Sequence, residues 1–379
     1  SMRLAVGFFL ATGCGRLGYD ASGAAEIRDG STDDVDAAPP DENSTLLVAD
    51  PDGSNNPHLA WNGANLGLAW NREVGPGSYD AAFARFTTEG VLVGAPVGAG
   101  TNSRDALALA WQGDRFSFIY SAQEGNQQDS FAHMIGGDGT SLAGPVALTN
   151  SPHSQKSLGA HFRPGTLATA FFDGQGGTTL RVATYDSSGN VVVSPSSITS
   201  FGGSSGKPNI VWTGTNYGVS WGVSYVNGNS GGFFQLVNAD GNTVGPATEF
   251  TNTNGANSKL VWNGSSFGVV WAEDVQIGTE VSFANISITG AAGPRILLSD
   301  ADGSATEPVL VWNQTEYAVA WVDERDGNGE IYFATLEPDG TMKGSAVRLT
   351  TSSRLSHSPS LVATDSGYAV AYTEGTRFD

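Results

Sequence analysis

Pro308-Val309-Leu310-Val311-Trp312-Asn313-Gln314-Thr315-Glu316-Tyr317-Ala318-Val319-Ala320-Trp321 reads as a strand, a turn and a second strand. The run up to Trp312 is mostly β-branched and aromatic, which suits a buried pleated surface. Asn313-Gln314-Thr315 turns the chain, and Glu316 to Trp321 alternates large and small side chains. A polar loop from Asp323 to Gly329 leads to a third apolar run, Glu330 to Leu336. Pro338-Asp339-Gly340-Thr341 is rich in residues that tolerate positive φ, and Ala346 to Thr350 supplies a fourth run. Four short strands joined by tight turns make one antiparallel meander.

The same unit recurs along the chain. Trp61, Trp111, Phe162, Trp212, Trp262 and Trp312 are separated by 50, 51, 50, 50 and 50 residues. Trp70, Tyr120, Phe171, Trp221, Trp271, Trp321 and Tyr372 form a second aromatic series in the same register. The pairs Asn62-Gly63, Gln112-Gly113, Thr213-Gly214 and Asn263-Gly264 suit two-residue hairpins between strands one and two. A turn-rich, strand-rich repeat of this pitch predicts an all-β, seven-bladed β-propeller with four-stranded blades of about 50 residues. The two aromatic series are expected to fill the gaps between blades. The seventh copy, from Ser358, carries strands one and two, and Thr45-Leu46-Leu47-Val48-Ala49 is the N-terminal strand expected to close that last blade. Closure removes open sheet edges that invite aggregation.

The formal net charge is −20, so binding nucleic acid through its phosphates is not expected. The sole cysteine, Cys14, follows Arg3 and the apolar run Leu4 to Ala11. Those residues resemble a bacterial lipoprotein signal, whose cysteine is lipidated after cleavage; the run is short, and Ala11 stands where Leu is commonest. Residues 15–44, rich in Asp, Ala, Gly, Ser and Pro, have the composition of a flexible acidic tether. The expected organisation is a signal-like segment over 1–14, a tether over 15–44 and the propeller over 45–379. The implied location is an outer-membrane or cell-surface lipoprotein, alternatively a periplasmic or secreted protein. The lipid is the expected membrane contact, and the chain is expected to be a monomer.

The hairpin turns at one rim repeat nearly unchanged, whereas the loops at the other rim differ from copy to copy. Variable loops on a rigid ring are where binding concentrates. Residues at the start of each first strand should ring the channel mouth, which nominates His58, Lys207, Asn209, Asn257, Lys259 and Glu307, with Asp323 from the link after strand two. His153 and His357 lie in comparable links. Lys207 and Lys259 bring positive charge to an acidic protein and suit an anionic group on a ligand. Asp50-Pro51-Asp52-Gly53 and Asp300-Ala301-Asp302-Gly303 space carboxylates around a glycine turn. The simpler reading of that pattern is an Asx turn that needs no cofactor; the alternative is a calcium site.

The stretch Trp321-Val322-Asp323-Glu324-Arg325-Asp326-Gly327, followed by Glu330-Ile331-Tyr332, resembles repeats of bacterial secreted and surface β-propeller proteins. The resemblance implies a propeller on the cell surface or in the periplasm and carries no defined activity. Acids, amides and histidines are spread one or two per loop, as a recognition surface requires. Catalysis instead needs a convergent set. The expected function is therefore non-enzymatic: binding or scaffolding of a glycan, peptide or partner protein through the variable rim. The alternative is a carbohydrate-active enzyme, a polysaccharide lyase or glycosidase, using the rim carboxylates and histidines.

Overall fold

The computed structural model describes residues 3–12, 16–18, 45–49, 54–124, 127–149, 156–173, 179–202, 204–225, 230–253, 255, 257–299 and 303–375. All regular structure among them is antiparallel β-sheet. Cys14, Asp50, Asp52, Asp300, Asp302, His153 and residues 19–44 lie outside the described residues.

Each repeat is a four-stranded unit. Blade six, for example, orders Ala305–Trp312, Tyr317–Asp323, Glu330–Leu336 and Val347–Arg348. Blades one and two run together as one seven-stranded sheet because Val97–Trp111 serves both. Its first half pairs with Ser78–Phe86 and its second half with Arg115–Glu124. The described strands are consistent with seven units, one for each member of the second aromatic series.

Seven apolar clusters lie between successive units. Leu310, Tyr317 and Trp321 pack with Val270, Val281 and Phe283 across blades five and six. Val322, Ile331 and Phe333 pack with Leu361, Tyr368 and Val370 across blades six and seven. Leu59, Leu68 and Trp70 pack with Ala369 and Ala371, joining the last blade to the first. The ring is therefore closed. The second aromatic series is its core, with Trp271 and Trp321 both at 0 % exposure. Burying such a side chain contributes roughly 2–3 kcal/mol. The first series is only half-buried.

A further series escaped the sequence reading. Phe116, Tyr217, Phe267, Tyr317 and Tyr368 open the second strands and are buried. Phe116, Phe267, Tyr317 and Tyr368 each lie against a ring from the previous blade's third strand, as Tyr317 does against Phe283 at 5.1 Å. Gly268 makes room for this, since a Cβ there would stand 2.6 Å from the Tyr317 ring. The hairpins between strands one and two also differ from expectation. In blades one, two, four, five and six they are four-residue loops, with Trp312 paired to Tyr317 across residues 313–316, whereas blades three and seven close over two residues, Arg163 opposite Thr166 and Thr364 opposite Gly367. The Asn313 carboxamide oxygen accepts the N–H groups of Thr315 and Glu316, both at 2.9 Å. That side-chain cap sets the loop length.

The last blade is assembled from both ends of the described chain. Leu355–Thr364 and Gly367–Gly375 are its first two strands. Thr45–Ala49 belongs to this sheet as expected, but it does not pair with Gly367–Gly375. Arg3–Thr12 stands between them, with Arg3 opposite Glu374 and Phe9 opposite Tyr368 on one side, and Leu4 opposite Val48 on the other. Leu4, Val6 and Phe9 fall at the register positions that Ile331, Phe333 and Leu336 hold in blade six. The segment read as a signal thus carries the apolar pattern of a third strand. Arg16–Gly18 folds back on Leu10 to Thr12.

Candidate functional site: a polar cluster on the ring axis

Each first strand begins at the inner edge of its blade. At the same repeat position Asn56, Asn257, Glu307 and Ser358 take φ values of 52°, 59°, 54° and 53°. Non-glycine residues seldom adopt this conformation, and holding it costs on the order of 1–2 kcal/mol. In blades one, six and seven the pairing register shifts at that point: between Asn55 and His58, Thr306 and Val309, and His357 and Ser360. The result is a bulge that re-aims the side chain and ends the pairing.

The bulged end of blade one and Lys207 of blade four meet at Asp105. Its Oδ1 accepts a hydrogen bond from Asn56 Nδ2 at 2.7 Å, and its Oδ2 receives Lys207 Nζ at 2.7 Å. Asn56, Asp105 and Lys207 belong to blades one, two and four. Blade three lies between the last two, so Asp105 and Lys207 meet across the ring axis. Asn257 Oδ1 lies 3.4 Å from the Lys207 amide, and Glu307 Oε2 accepts the Ser358 amide at 2.6 Å.

Lys259 completes the cluster. Its side chain is half-buried. Desolvation, followed by repulsion from Lys207, pushes its ammonium down to about 8 against the pull of Asp105 and Glu307. Lys207 has an ion-pair partner in Asp105, whereas among the described residues no carboxylate stands within ion-pair distance of Lys259. His58 and Asn209 hold the same repeat position as Lys259, in blades one and four.

Asp323 belongs to a different arrangement. It is buried and accepts Trp321 Nε1 at 2.9 Å and Arg325 Nε at 2.8 Å, with Arg325 Nη2 closing a bidentate pair at 2.6 Å. Burial pushes its carboxyl upward, but Arg325 and the Trp321 donor together hold it below the usual range. Arg325 in turn stacks over Tyr332 at 4.6 Å. Asp323 anchors its loop, and both of its oxygens are engaged.

The other rim carboxylates are held in a repeated device. Thr149, Ser299 and Thr350 each accept a third-strand amide, of Ser130, Val281 and Ile331, at 2.8 Å. Each hydroxyl also donates to the acid that opens the same strand: Asp129, Glu280 or Glu330. Glu273 takes Arg295 at 2.9 Å and Thr253 at 3.1 Å. These acids tie strand four to strand three. Among the described residues no three His, Cys, Asp or Glu side chains are grouped to hold a metal ion.

Asp105 is the cluster member that the sequence reading missed. It sits one residue before the expected start of the second copy, within a strand whose register shifts on either side of it. A signal did exist: an acid beside the inner-strand position in a copy otherwise opening on alanines.

Neither a protein-family model nor a curated protein sequence matches the chain. Solved structures do resemble it. A Bacteroides fragilis protein provisionally assigned as a 6-phosphogluconolactonase superposes with a TM-score of 0.53 at 14% identity, covering 80% of this chain and 87% of its own. A puromycin-hydrolysing peptidase from Mycobacterium tuberculosis gives 0.50 at 14% identity over 72% of this chain, which spans 44% of that protein. The β-propeller domain of the trilobed protease from Pyrococcus furiosus gives 0.49 at 10% identity, covering 85% and 97%. The first two likenesses, together with the sheets described above, show the fold alone: the chain is an all-β propeller.

Proposed function

We propose that this propeller is a non-enzymatic recognition module of an exported protein, binding a glycan, peptide or partner protein at the axial end that carries Asp105, Lys207, Lys259 and Glu307. One observation carries the reading. Side chains from different blades converge on the axis at the variable rim, while Asp323, Glu273 and Glu330 outside this cluster are occupied by structural partners. A convergent polar cluster at the mouth of a rigid scaffold is what binding sites look like. A glycosidase or lyase would need a free carboxyl pair. Asp323, Glu273 and Glu330 are each held by an arginine.

Export and anchoring through Cys14 rest on the sequence of Arg3 to Cys14. That segment is also the third strand of the last blade, so cleavage before Cys14 would remove it from the ring. A processed protein would have to close its last blade without Arg3–Thr12.

The test is an array of glycans and peptides probed with the wild-type propeller and with Asp105→Ala/Lys207→Ala. The double variant should lose the wild-type hits at least tenfold while still melting cooperatively. Hits that survive unchanged would place recognition elsewhere. Release of reducing ends or unsaturated sugars would restore the enzymatic alternative.

A further inference from the structure

We propose that the junction of blades three and four at the hairpin rim takes a carboxylate group, held by Arg163 and the Tyr217 hydroxyl beside the Trp212 ring. The site lies at the opposite rim from the axial cluster and does not rest on the recognition reading above.

The neighbouring junctions show how this position is normally bonded. The residue after the first-series aromatic reaches the tyrosine that opens the next blade's second strand. Asn263 Nδ2 donates to the Tyr317 hydroxyl at 2.8 Å, and Asn313 Nδ2 donates to the Tyr368 hydroxyl at 2.6 Å. Each hydroxyl donates onward, Tyr317 to Asn285 Oδ1 at 3.2 Å and Tyr368 to Glu316 Oε1 at 2.9 Å. Between blades three and four the same places fall to Arg163 and Tyr217. Tyr217 is fully buried. Its hydroxyl and Arg163 Nε are both closed off from solvent, and neither has a hydrogen-bond partner among the described residues. Nε–H is a donor and the hydroxyl can donate, so an acceptor satisfies both. Leaving such groups buried without one forfeits their hydration with nothing in return.

Charge points the same way. Arg163 lies over the Trp212 ring at 4.2 Å and the Tyr217 ring at 5.8 Å, and it makes no ion pair among the described residues. Three other basic side chains of this rim are matched. Arg115 pairs with Asp114 at 2.6 Å, Lys343 pairs with Glu316 at 2.8 Å, and Arg85 donates to the carbonyl oxygens of Gly137 and Asp138. His161, two residues before Arg163 on the same strand, is pushed down to about 4, first by burial and then by the Arg163 charge. It is therefore neutral and adds no second cation.

The local chain accounts for the difference. Arg163-Pro164-Gly165-Thr166 closes over two residues, with Gly165 at φ 74°, so no asparagine caps this hairpin or reaches the tyrosine. Arg163 and Trp212 are only half-buried, which leaves the junction approachable from the rim. A guanidinium that rests its face on an indole keeps its edge for a planar acceptor, and the two oxygens of a carboxylate match that fork.

Arginine-selective 15N labelling of the full chain reports the Arg163 Nε–H group, identified by its loss in Arg163→Lys. Acetate, N-acetylglutamate α-amide, the glutamine analogue of that amide, and chloride would be titrated at pH 7 and fixed ionic strength. The glutamate compound should shift the signal saturably, whereas the glutamine analogue and chloride should not. Tyr217→Phe should weaken binding at least threefold, and Arg163→Gln should abolish it by calorimetry. If Arg163→Gln does not fold, Arg163→Lys, which keeps the charge and loses the fork, should weaken binding at least fivefold. Arg115→Gln should bind as wild type. Much tighter binding of the glutamate compound than of acetate identifies the source as an acidic side chain of a partner; equal affinity identifies a small free carboxylate. No saturable shift with either carboxylate overturns the inference. So does an equal response to the glutamine analogue or to chloride, or binding unchanged in Tyr217→Phe or in the Arg163 variants.

Discussion

Blade six and blade seven are neighbours with matching register, yet they hold together differently. Blade six is one continuous run, and its upper end is a dense polar network. Asp323 grips Arg325, Tyr332 donates to Asp326 at 2.6 Å, and Arg348 bridges Asp326 and Glu330 at 3.1 and 3.0 Å. Blade seven has Glu374 at the position of Asp323, and Ser356 and Thr373 where blade six has Ala305 and Val322, all buried. Among the described residues the hydroxyls of Ser356 and Thr373 have no hydrogen-bond partner. The residue opposite Glu374 is Arg3, more than 370 positions earlier in the chain. A repeat can therefore keep its pairing register when one of its strands comes from the other end of the described chain. The contiguous blade keeps its polar groups satisfied from within, whereas the composite blade depends on closure of the ring.

Deleting residues 1–13 should have the largest effect. Gly367–Gly375 loses its pairing partner, and Thr45–Ala49 loses the strand it pairs with. The midpoint of thermal unfolding should fall by on the order of 10 °C, followed by circular dichroism. An unchanged midpoint would mean that Thr45–Ala49 pairs directly with Gly367–Gly375, and the composite blade would have three strands.

Next comes the removal of one acid from each blade. Asp323→Ala leaves Arg325 and the Trp321 indole without their shared acceptor, at a cost of about 2–3 kcal/mol in urea unfolding. Glu374→Ala removes a buried acid that takes no such pair among the described residues and should cost less than Asp323→Ala. Equal losses would mean that Glu374 is bonded as fully as Asp323.

The smallest difference concerns hydroxyls. Thr350→Val leaves the Ile331 amide and a Glu330 oxygen unpaired and should cost about 1–3 kcal/mol. Ser356→Ala removes a buried hydroxyl that bonds nothing and should be neutral within about 0.5 kcal/mol. Equal losses from the two substitutions would show that blade seven satisfies its polar groups as fully as blade six does.

Much of this was legible along the chain. The repeat pitch placed the strands of blade six, and the inner-strand positions Lys207, Asn257, Lys259 and Glu307 do lie together. Asp323 was drawn toward the ligand set because it repeats beside a rim loop; its fork with Arg325 is a local bond that spacing alone does not reveal. Asp105 went unnoticed because a bulge moved it one residue out of phase with the other copies. The hairpins were assigned two residues because the Asn-Gly pair is a strong turn signal. The carboxamide oxygen of Asn62 nevertheless accepts two amides, as in the Asn313 loop, and lengthens the loop to four.

Recurrence of two aromatic series at a pitch near 50 residues determined the strands, the blades and the faces they bury. Side-chain alternation and turn chemistry are local, so each copy states them again. Only the tertiary structure decided which polar groups share the axis and which strand closes the ring. Asp105 and Lys207 are 102 residues apart, and Arg3 and Glu374 are further still. Their meeting depends on how many blades close and through what angle. That is a property of the ring as a whole, and no single repeat encodes it.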